Sequence, residues 1–157
     1  MKMSASNLKR RMQRFLILPF AFVLSVLGVA QAAEKKVDDY IIYYNAFNSS
    51  FLQPSVARTY KIPRSGLTAV LNISVHKDNP QDHTSQALSA NVQGRVKNAI
   101  GQYEDLAFRE IKEDDAIYYL ADFRFRNKEA TDIEFFVRIS GREKPIMVSF
   151  DQKFYAN

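Results

Sequence analysis

The chain of 157 residues contains no cysteine and no tryptophan, and it has few glycines, only four of them after Ala33. The absence of cysteine excludes thiol catalysis, thiolate metal sites and disulfide bonds. The absence of both residue types excludes the Cys–Trp–Cys core of antibody domains. The scarcity of glycine leaves no glycine-rich loop to bind a phosphate group. Any fold of this chain must therefore be held together by core packing alone.

The first thirty-odd residues carry the pattern of an export signal. Residues 1–14 contain five cations and no acid, residues 15–29 are mostly apolar, and Ala30, Gln31 and Ala32 form a small-x-small triplet. This combination is typical of a secretory signal peptide, and it predicts cleavage after Ala32, with cleavage after Ala33 as the neighbouring alternative. The other interpretation is a retained anchor, but the apolar run is shorter than the roughly 20 residues that span a bilayer. The sequence predicts an exported, periplasmic protein.

The positive charge of the chain belongs entirely to this leader. The formal net charge is +5, and removal of the five cations before Phe15 leaves 17 basic and 17 acidic residues after Ala33. A neutral domain gives no support to a nucleic-acid partner, and it weakens the case for adsorption to a membrane or for stable insertion after cleavage.

The remaining chain has the length of one domain. We predict a signal peptide over residues 1–32, a short disordered start over residues 33–38, and one domain over residues 39–157. The 17 Phe and Tyr residues after Ala33 supply apolar area for its core.

Apolar and polar residues alternate with a period of two through most of this domain, which predicts half-buried strands. The predicted strands cover 40–46, 69–76, 88–96, 106–112, 117–125, 132–139 and 146–151. A short helix is predicted over Pro54–Tyr60, since proline suits a first helical turn. Short polar connections predict that the last three strands form an antiparallel meander.

This pattern of about seven short strands favours an all-β fold, an immunoglobulin-like antiparallel β-sandwich with one short helix. A small antiparallel β-barrel is the alternative.

No catalytic signature is present in the sequence. A metal site of His83, Asp82 and Asp78 is conceivable, but a solvated polar loop explains these residues better. Glu113, Asp114 and Asp115 offer adjacent carboxylates, yet their position between two strands favours a hairpin turn. We therefore expect a protein that is not an enzyme and that needs no cofactor.

The densest unusual stretch runs from Tyr40 to Leu52, where aromatic residues alternate with Asn and Ser. Such residues either line a binding groove or fill the core and seat the helix. Arg64 either holds an anion or braces a loop, and bracing is the favoured interpretation. The candidate interaction surface consists of Tyr43, Asn45, Asn48, Phe51 and Arg64.

Several motifs together resemble one family of exported gammaproteobacterial proteins, the family called domain of unknown function 4426. The motifs are Tyr43–Leu52, Pro54-x-Val56-Ala57, Arg64-Ser65, Leu71–Val75, Glu110-Ile111, Asp115–Tyr119, Val148–Phe150 and Gln152–Tyr155. The resemblance implies a small exported β-rich domain of the periplasm of a Gram-negative bacterium. It brings no assigned activity and no catalytic residues. In the turn before Ala116 the family often has Gly where this chain has Asp114, which fits a turn.

Three functional hypotheses follow. The first is a non-enzymatic module that binds a protein, a peptide or another envelope component. The second is a carrier of a small ligand or lipid, and the third is a metal-assisted hydrolase that uses His83. Edge strands could also support a homodimer.

Overall fold

The computed structural model of the protein describes residues 32–79, 81 and 84–157. The predicted signal peptide up to Gln31, and Asp82 and His83 of the conceivable metal site, lie outside the described residues. The strands are β1 (Ala33–Val37), β2 (Tyr40–Asn48), β3 (Thr68–Asn79), β4 (Thr84–Ala87), β5 (Asn91–Lys97), β6 (Tyr103–Asp105), β7 (Arg109–Glu113), β8 (Ala116–Arg124), β9 (Ala130–Arg138) and β10 (Ile146–Lys153). A 3₁₀ turn (Ser49–Phe51) and the helix α1 (Pro54–Thr59) lie between β2 and β3. No described helix has the length and apolar character needed to cross a membrane.

The strands form two antiparallel sheets packed as a sandwich. Sheet A has the order β1-β2-β3-β8-β7, with β4 pairing to the end of β3, and sheet B has the order β10-β9-β5-β6. This confirms the predicted all-β sandwich with one short helix, and the sheets do not close into a barrel.

The core lies between the inner faces of the two sheets. Ile42, Leu71 and Ile73 contribute from sheet A, and Phe135 and Val137 contribute from sheet B, all fully buried. These residues follow the period of two that the sequence shows, because alternate side chains of a strand point to the same face.

The prediction that the last three strands form a meander was wrong. β9 and β10 pair as a hairpin in sheet B, whereas β8 pairs with β3 and β7 in sheet A. The connection at Asn127–Glu129 therefore crosses between sheets. The crossing is fixed by the stacking of Phe125 on Phe154, whose ring centroids lie 5.0 Å apart, and by a bond from the Lys128 amide to the Phe154 carbonyl.

Only residues 91–96 of the predicted strand over residues 88–96 form a strand, as part of β5, and residues 88–90 connect it to β4. β4 pairs with β3, and β5 pairs with β9, so that the chain changes sheet at residues 88–90. Leu88 and Ala90 still pack against the core. Because the apolar period of two continues through residues 88–90, the sequence does not show that the chain changes sheet there.

The expected disordered start at residues 33–38 is corrected by the structure. Ala33–Val37 form β1, which pairs with β2 in register from Ala33 opposite Tyr44 to Val37 opposite Tyr40. The segment is polar and exposed because it is an edge strand, and charged residues on an edge strand discourage pairing with another chain.

A second, smaller core lies on the outer face of sheet A. Phe47, Val70 and Leu120 point outward from the sheet and pack against Leu52 and Ile62. The segment from Ser49 to Arg64, which we call the cap, thus covers part of this face. The predicted helix over Pro54–Tyr60 is confirmed as α1, which begins at Pro54 and ends at Thr59.

Candidate functional site

The cap presents one exposed aromatic side chain and three cations. Phe51 is 50% exposed although it is large and apolar. Arg58, Lys61 and Arg64 are exposed and line one shallow cavity of about 630 Å³ together with Pro54, Ala57, Ile62 and Pro63. We call the exposed surface of Phe51, Arg58, Lys61 and Arg64 the cap surface.

The amphipathic pattern of the cap explains this division of its residues. Leu52, Ala57 and Ile62 point into the outer core, which leaves Arg58 and Lys61 on the solvent side. Arg58 lies in the last turn of α1, where a cation interacts favourably with the carbonyl end of the helix. The Arg58 side chain also donates from Nε to the carbonyl of Pro54 at 3.3 Å.

Arg64 braces the loop that follows the helix. Its Nη2 donates to the carbonyl of Ser50 at 2.8 Å, which ties the end of the cap to the 3₁₀ turn. The Ser65 amide donates to Ser49 Oγ at 3.1 Å and supports the same closure. The favoured interpretation of Arg64 as a brace is consistent with this geometry, and its remaining nitrogens face solvent.

Asn48 holds the C-terminal segment against the cap. Its side chain is 6% exposed, and Nδ2 donates to the Tyr155 carbonyl at 2.7 Å. Ser50 Oγ donates to Asn157 Oδ1 at 2.9 Å. Asn48 is therefore a structural residue and is not presented to a partner, whereas Tyr155, which is 59% exposed, lies beside the cap.

A phenol–carboxylate hydrogen bond fastens the other end of the cap. The Tyr60 hydroxyl donates to Glu113 Oε1 on β7. Burial, together with this bond and the charge of Glu113, raises the pKa of Tyr60 to about 12. The cap is thus joined to sheet A at both ends.

The charge of the cap surface is not balanced by nearby acids in the sequence. No Asp or Glu occurs between Asp39 and Asp78, although the mature domain as a whole is neutral. Six ion pairs occur in the described part of the chain, such as Arg95–Glu134 and Arg109–Asp122, and none of them involves Arg58, Lys61 or Arg64. Arg58, Lys61 and Arg64 therefore form a positive group on a neutral domain, and the Glu113 carboxylate reaches the cap at Tyr60.

The structure separates the residues of the predicted interaction surface. Phe51 and Arg64 lie together on the cap. Tyr43 and Asn45 lie on the outer face of sheet A, where register places them opposite Ser74 and Asn72. Both are half-buried; Asn45 accepts from Asn72 Nδ2 at 3.3 Å.

Tyr43 contacts the single described histidine. Its ring meets the edge of His76 with centroids 5.3 Å apart. Ser74 Oγ donates to the Ile117 carbonyl at 3.0 Å, so that His76 Nε2 carries the proton and donates to Ser74 at 2.8 Å. His76 Nδ1 then accepts from Ser85 Oγ at 3.0 Å. Burial lowers the pKa of His76, which favours this neutral form.

This serine–histidine arrangement lacks the third group of a hydrolase triad. In a triad the second ring nitrogen of the histidine donates to a carboxylate. Here His76 Nε2 donates to the buried hydroxyl of Ser74, which in turn donates to the main-chain carbonyl of Ile117. The hydrogen bonds close the outer end of sheet A against the β3–β4 hairpin. Their evident role is structural.

Metal-ligating residues do not cluster in the part of the chain that the structure describes. No group of three or more His, Cys, Asp or Glu residues there could hold a metal ion. Glu113 and Ala116 are paired across a two-residue turn, with Asp114 at a φ of 48°, which confirms the predicted hairpin. The left-handed φ also explains why glycine suits this position.

A cavity with more volume than the one at the cap lies at an open end of the sandwich. It has a volume of about 940 Å³ and is lined by apolar residues such as Val96 and Phe125 and by charged residues such as Glu104 and Arg124. None of the predicted surface residues lines this cavity.

Of the cap surface, sequence reasoning singled out Phe51 and Arg64 and did not single out Arg58 or Lys61. Arg58 was overlooked because it belongs to a helix whose other residues suggested only core packing, and Lys61 lies just beyond the end of that helix at Thr59. The missing signal was available in the sequence, since the interval between Asp39 and Asp78 contains cations and no acid.

Three comparisons relate this geometry to known proteins. The family model described as "Domain of unknown function (DUF4426)" matches residues 34–157. A crystal structure of a DUF4426 family protein from Pseudomonas aeruginosa PAO1 is 30% identical, with a TM-score of 0.69 over 80% of this chain and 96% of that chain. No curated protein matches the chain.

Two further solved structures share the fold at much lower identity. A copper-bound variant of FetP from uropathogenic Escherichia coli strain F11 is 12% identical, with a TM-score of 0.56 over 80% of this chain and 96% of that chain. A copper-bound variant of P19 from Campylobacter jejuni is 12% identical, with a TM-score of 0.50 over 80% and 96%. At this identity the likeness shows the fold alone.

Proposed function

The chain belongs to the DUF4426 family, and we propose that its mature domain is a non-enzymatic periplasmic module that binds an envelope component through the cap surface. The observation that carries the proposal is the exposure of Phe51 on the same cap as Arg58, Lys61 and Arg64, three cations that form no ion pair with any described acid. Aromatic residues and arginine are enriched at binding surfaces, and the cap presents both to solvent.

The proposed periplasmic location rests on the leader. The pattern of residues 1–32 predicts export, and β1 begins at Ala33, directly after the predicted cleavage position. A solved FetP of the same fold was expressed in the periplasm of E. coli, which is compatible with this location.

Copper binding by FetP and P19 is not extended to this chain, because the described residues do not fit a copper site. His76 already uses both ring nitrogens in bonds to Ser74 and Ser85. Met147, the single methionine among the described residues, lies on the outer face of sheet B, whereas His76 lies on the outer face of sheet A. No other histidine or cysteine is described near either of them.

The absence of enzymatic activity is part of the proposal and needs its own test. The nearest approach to a catalytic group is Ser85 beside His76, without a carboxylate behind the imidazole. We expect no turnover of ester or phosphate panels by the purified domain, and the S85A variant should match the wild type. Turnover that S85A abolishes would contradict this part of the proposal.

A second candidate function is the small-ligand carrier. The cavity of about 940 Å³ at the open end of the sandwich is of ligand size and supports this candidate. It predicts a co-purifying small molecule in native mass spectra that is lost when Val96→Trp fills the cavity. The cap proposal predicts a ligand-free spectrum.

The experiment for the cap proposal separates binding from folding. We expect F51A and R64A to weaken capture of an envelope component by immobilised domain. The thermal melt of F51A should stay close to that of the wild type, and R64A should lose only about 1 kcal/mol through its bond to the Ser50 carbonyl. M147A is the matched control, since Met147 is 56% exposed but lies on sheet B. If every loss of capture followed a loss of folding, or if M147A lost as much, the proposal would be wrong.

A further inference from the structure

We propose that the envelope component bound by the cap surface is an anionic phospholipid bilayer, which the protein contacts peripherally. This inference rests on the proposed function and gives its partner a chemical identity. It assigns Arg58, Lys61 and Arg64 to lipid phosphates and Phe51 to the boundary between headgroups and acyl chains.

The first argument is charge complementarity. Arg58, Lys61 and Arg64 line one shallow cavity with apolar walls formed by Pro54, Ala57, Ile62 and Pro63. A cavity of this character accepts a phosphate headgroup at its rim, and the exposed Pro54 and Pro63 are the apolar walls that reach the bilayer. The three cations make no ion pair with any described acid, so that no salt bridge must be broken before they bind phosphate.

The second argument is the placement of exposed aromatic residues. Phe51 is 50% exposed on the 3₁₀ turn. Tyr155 is 59% exposed and lies in the C-terminal segment, which a hydrogen bond from Asn48 holds beside that turn. Aromatic rings with neighbouring cations are characteristic of surfaces that lie in the headgroup region of a membrane. A polar protein partner would not require both rings to be exposed at one end.

The third argument is the direction of β1. Ala33 lies opposite Tyr44 and Val37 lies opposite Tyr40, so that β1, followed back towards its start, runs in the direction of Asn48, where the cap begins. From Tyr44 to Asn48 is a distance of about 13 Å along an extended strand. The chain therefore enters the domain from the side of the cap, so that the predicted cleavage position after Ala32 lies on the same side as the cap surface.

The net charge of the mature domain is zero, and from the sequence alone this weakened the case for adsorption to a membrane. It does not oppose the assignment of the cap surface to an anionic bilayer. Acids and cations are mixed on the rest of the molecule, as in the pairs Arg95–Glu134 and Lys97–Asp132 on sheet B. Screening confines surface electrostatics to about 10 Å at 0.1 M salt, so that the local charge of the cap decides its binding.

The test measures co-sedimentation of the mature domain with vesicles. We expect binding to vesicles that contain phosphatidylglycerol and none to pure phosphatidylcholine vesicles. The triple variant R58Q/K61Q/R64Q should lose about 100-fold in the partition coefficient, since each cation near an anionic bilayer contributes about a fivefold effect. F51A should weaken binding to the same vesicles.

The matched control is the triple variant R138Q/K144Q/K153Q, which removes the same charge from exposed positions of sheet B and the loop before β10. It should bind within about twofold to threefold of the wild type, because those cations do not face the bilayer. Thermal melts of both triples check folding. A salt series on the wild type needs no variant, and binding should fall steeply between 0.1 and 1 M NaCl as the screening length shortens from about 10 Å to about 3 Å.

Absence of binding to anionic vesicles, or equal losses in the two triples, would overturn the lipid assignment. In that event, capture of an envelope protein that F51A and R64A still weaken would leave the proposed function standing with another partner. Failure of both experiments would remove the lipid assignment and the proposed function together.

Discussion

The side-chain amide of Gln152 on β10 donates a hydrogen bond of 2.9 Å to the main-chain carbonyl of Ala46 on β2. β1 covers the edge of β2 only as far as Tyr44, so that Ala46 lies beyond the paired stretch. Gln152 thus satisfies a strand carbonyl from the opposite sheet and blocks part of the open edge.

This bond predicts a stability loss when the donor is removed. Q152A should lower the free energy of unfolding by about 1–2 kcal/mol, because the carbonyl of Ala46 is left without its partner in a partly buried place. Q93A changes an exposed glutamine on sheet B and should cost less than about 0.5 kcal/mol. Urea unfolding curves measure both, and equal effects would show that the bond contributes nothing.

Gly94 on β5 is predicted to resist replacement. A Cβ atom there would lie 2.8 Å from the Glu134 carbonyl oxygen and 2.9 Å from the Phe135 Cβ, which is closer than atoms can pack. G94A should therefore cost about 1–3 kcal/mol through overpacking between β5 and β9. Gly141, at a φ of 81° with open space around it, provides the comparison. G141A should cost about 1 kcal/mol through backbone strain, and a smaller effect of G94A would contradict the close packing.

The attachment of the cap to sheet A is testable at Tyr60. Y60F removes the hydroxyl that donates to Glu113 and should destabilise the domain by about 1–2 kcal/mol, as expected for a lost bond to a charged acceptor. Y43F is the control, because the Tyr43 side chain contacts His76 through its ring edge. Hydrogen exchange should also show faster opening of α1 in Y60F. Unchanged exchange would mean that the cap is held by its apolar residues alone.

The buried imidazole predicts a pH dependence of stability. Burial lowers the pKa of His76 in the folded state below its ordinary value of 6.5, so that the unfolded chain takes up the proton first as pH falls. The free energy of unfolding should therefore decrease as pH falls from about 6.5 towards the lowered pKa, and it should be insensitive to this group above that range. H76N should flatten the slope and H83N, the control at the other histidine, should leave it. The reverse result would assign the titration to His83.

Part of this fold was predictable because alternation of apolar residues survives in the sequence. The period of two predicts the inner faces of β3 and β9, and Pro54 predicts the start of the helix α1. The sheet assignment of β8 and the break at residues 88–90 do not, because the apolar period is the same whether a strand pairs with its neighbour or crosses to the other sheet. β1 was missed since an edge strand with charged side chains has the composition of a disordered segment.

Only part of the candidate site was predictable from the sequence. Phe51 follows from the density of aromatic and polar residues in Tyr40–Leu52, and Arg64 was singled out separately as a brace or an anion holder. No local pattern shows that Asn48 is buried. Its burial depends on the C-terminal residues Tyr155 and Asn157, which are distant in sequence. Arg58 and Lys61 gain meaning only when the fold places them with Arg64 around one cavity.

Photocrosslinking in intact cells tests the cap surface most directly. A benzophenone amino acid at Phe51 should form an adduct with an envelope component during irradiation of the exported protein. The same group at Met147, which is similarly exposed at 56% on the outer face of sheet B, should form none. Equal adducts from both positions, or an adduct from position 147 alone, would contradict the assignment of the cap as the binding surface.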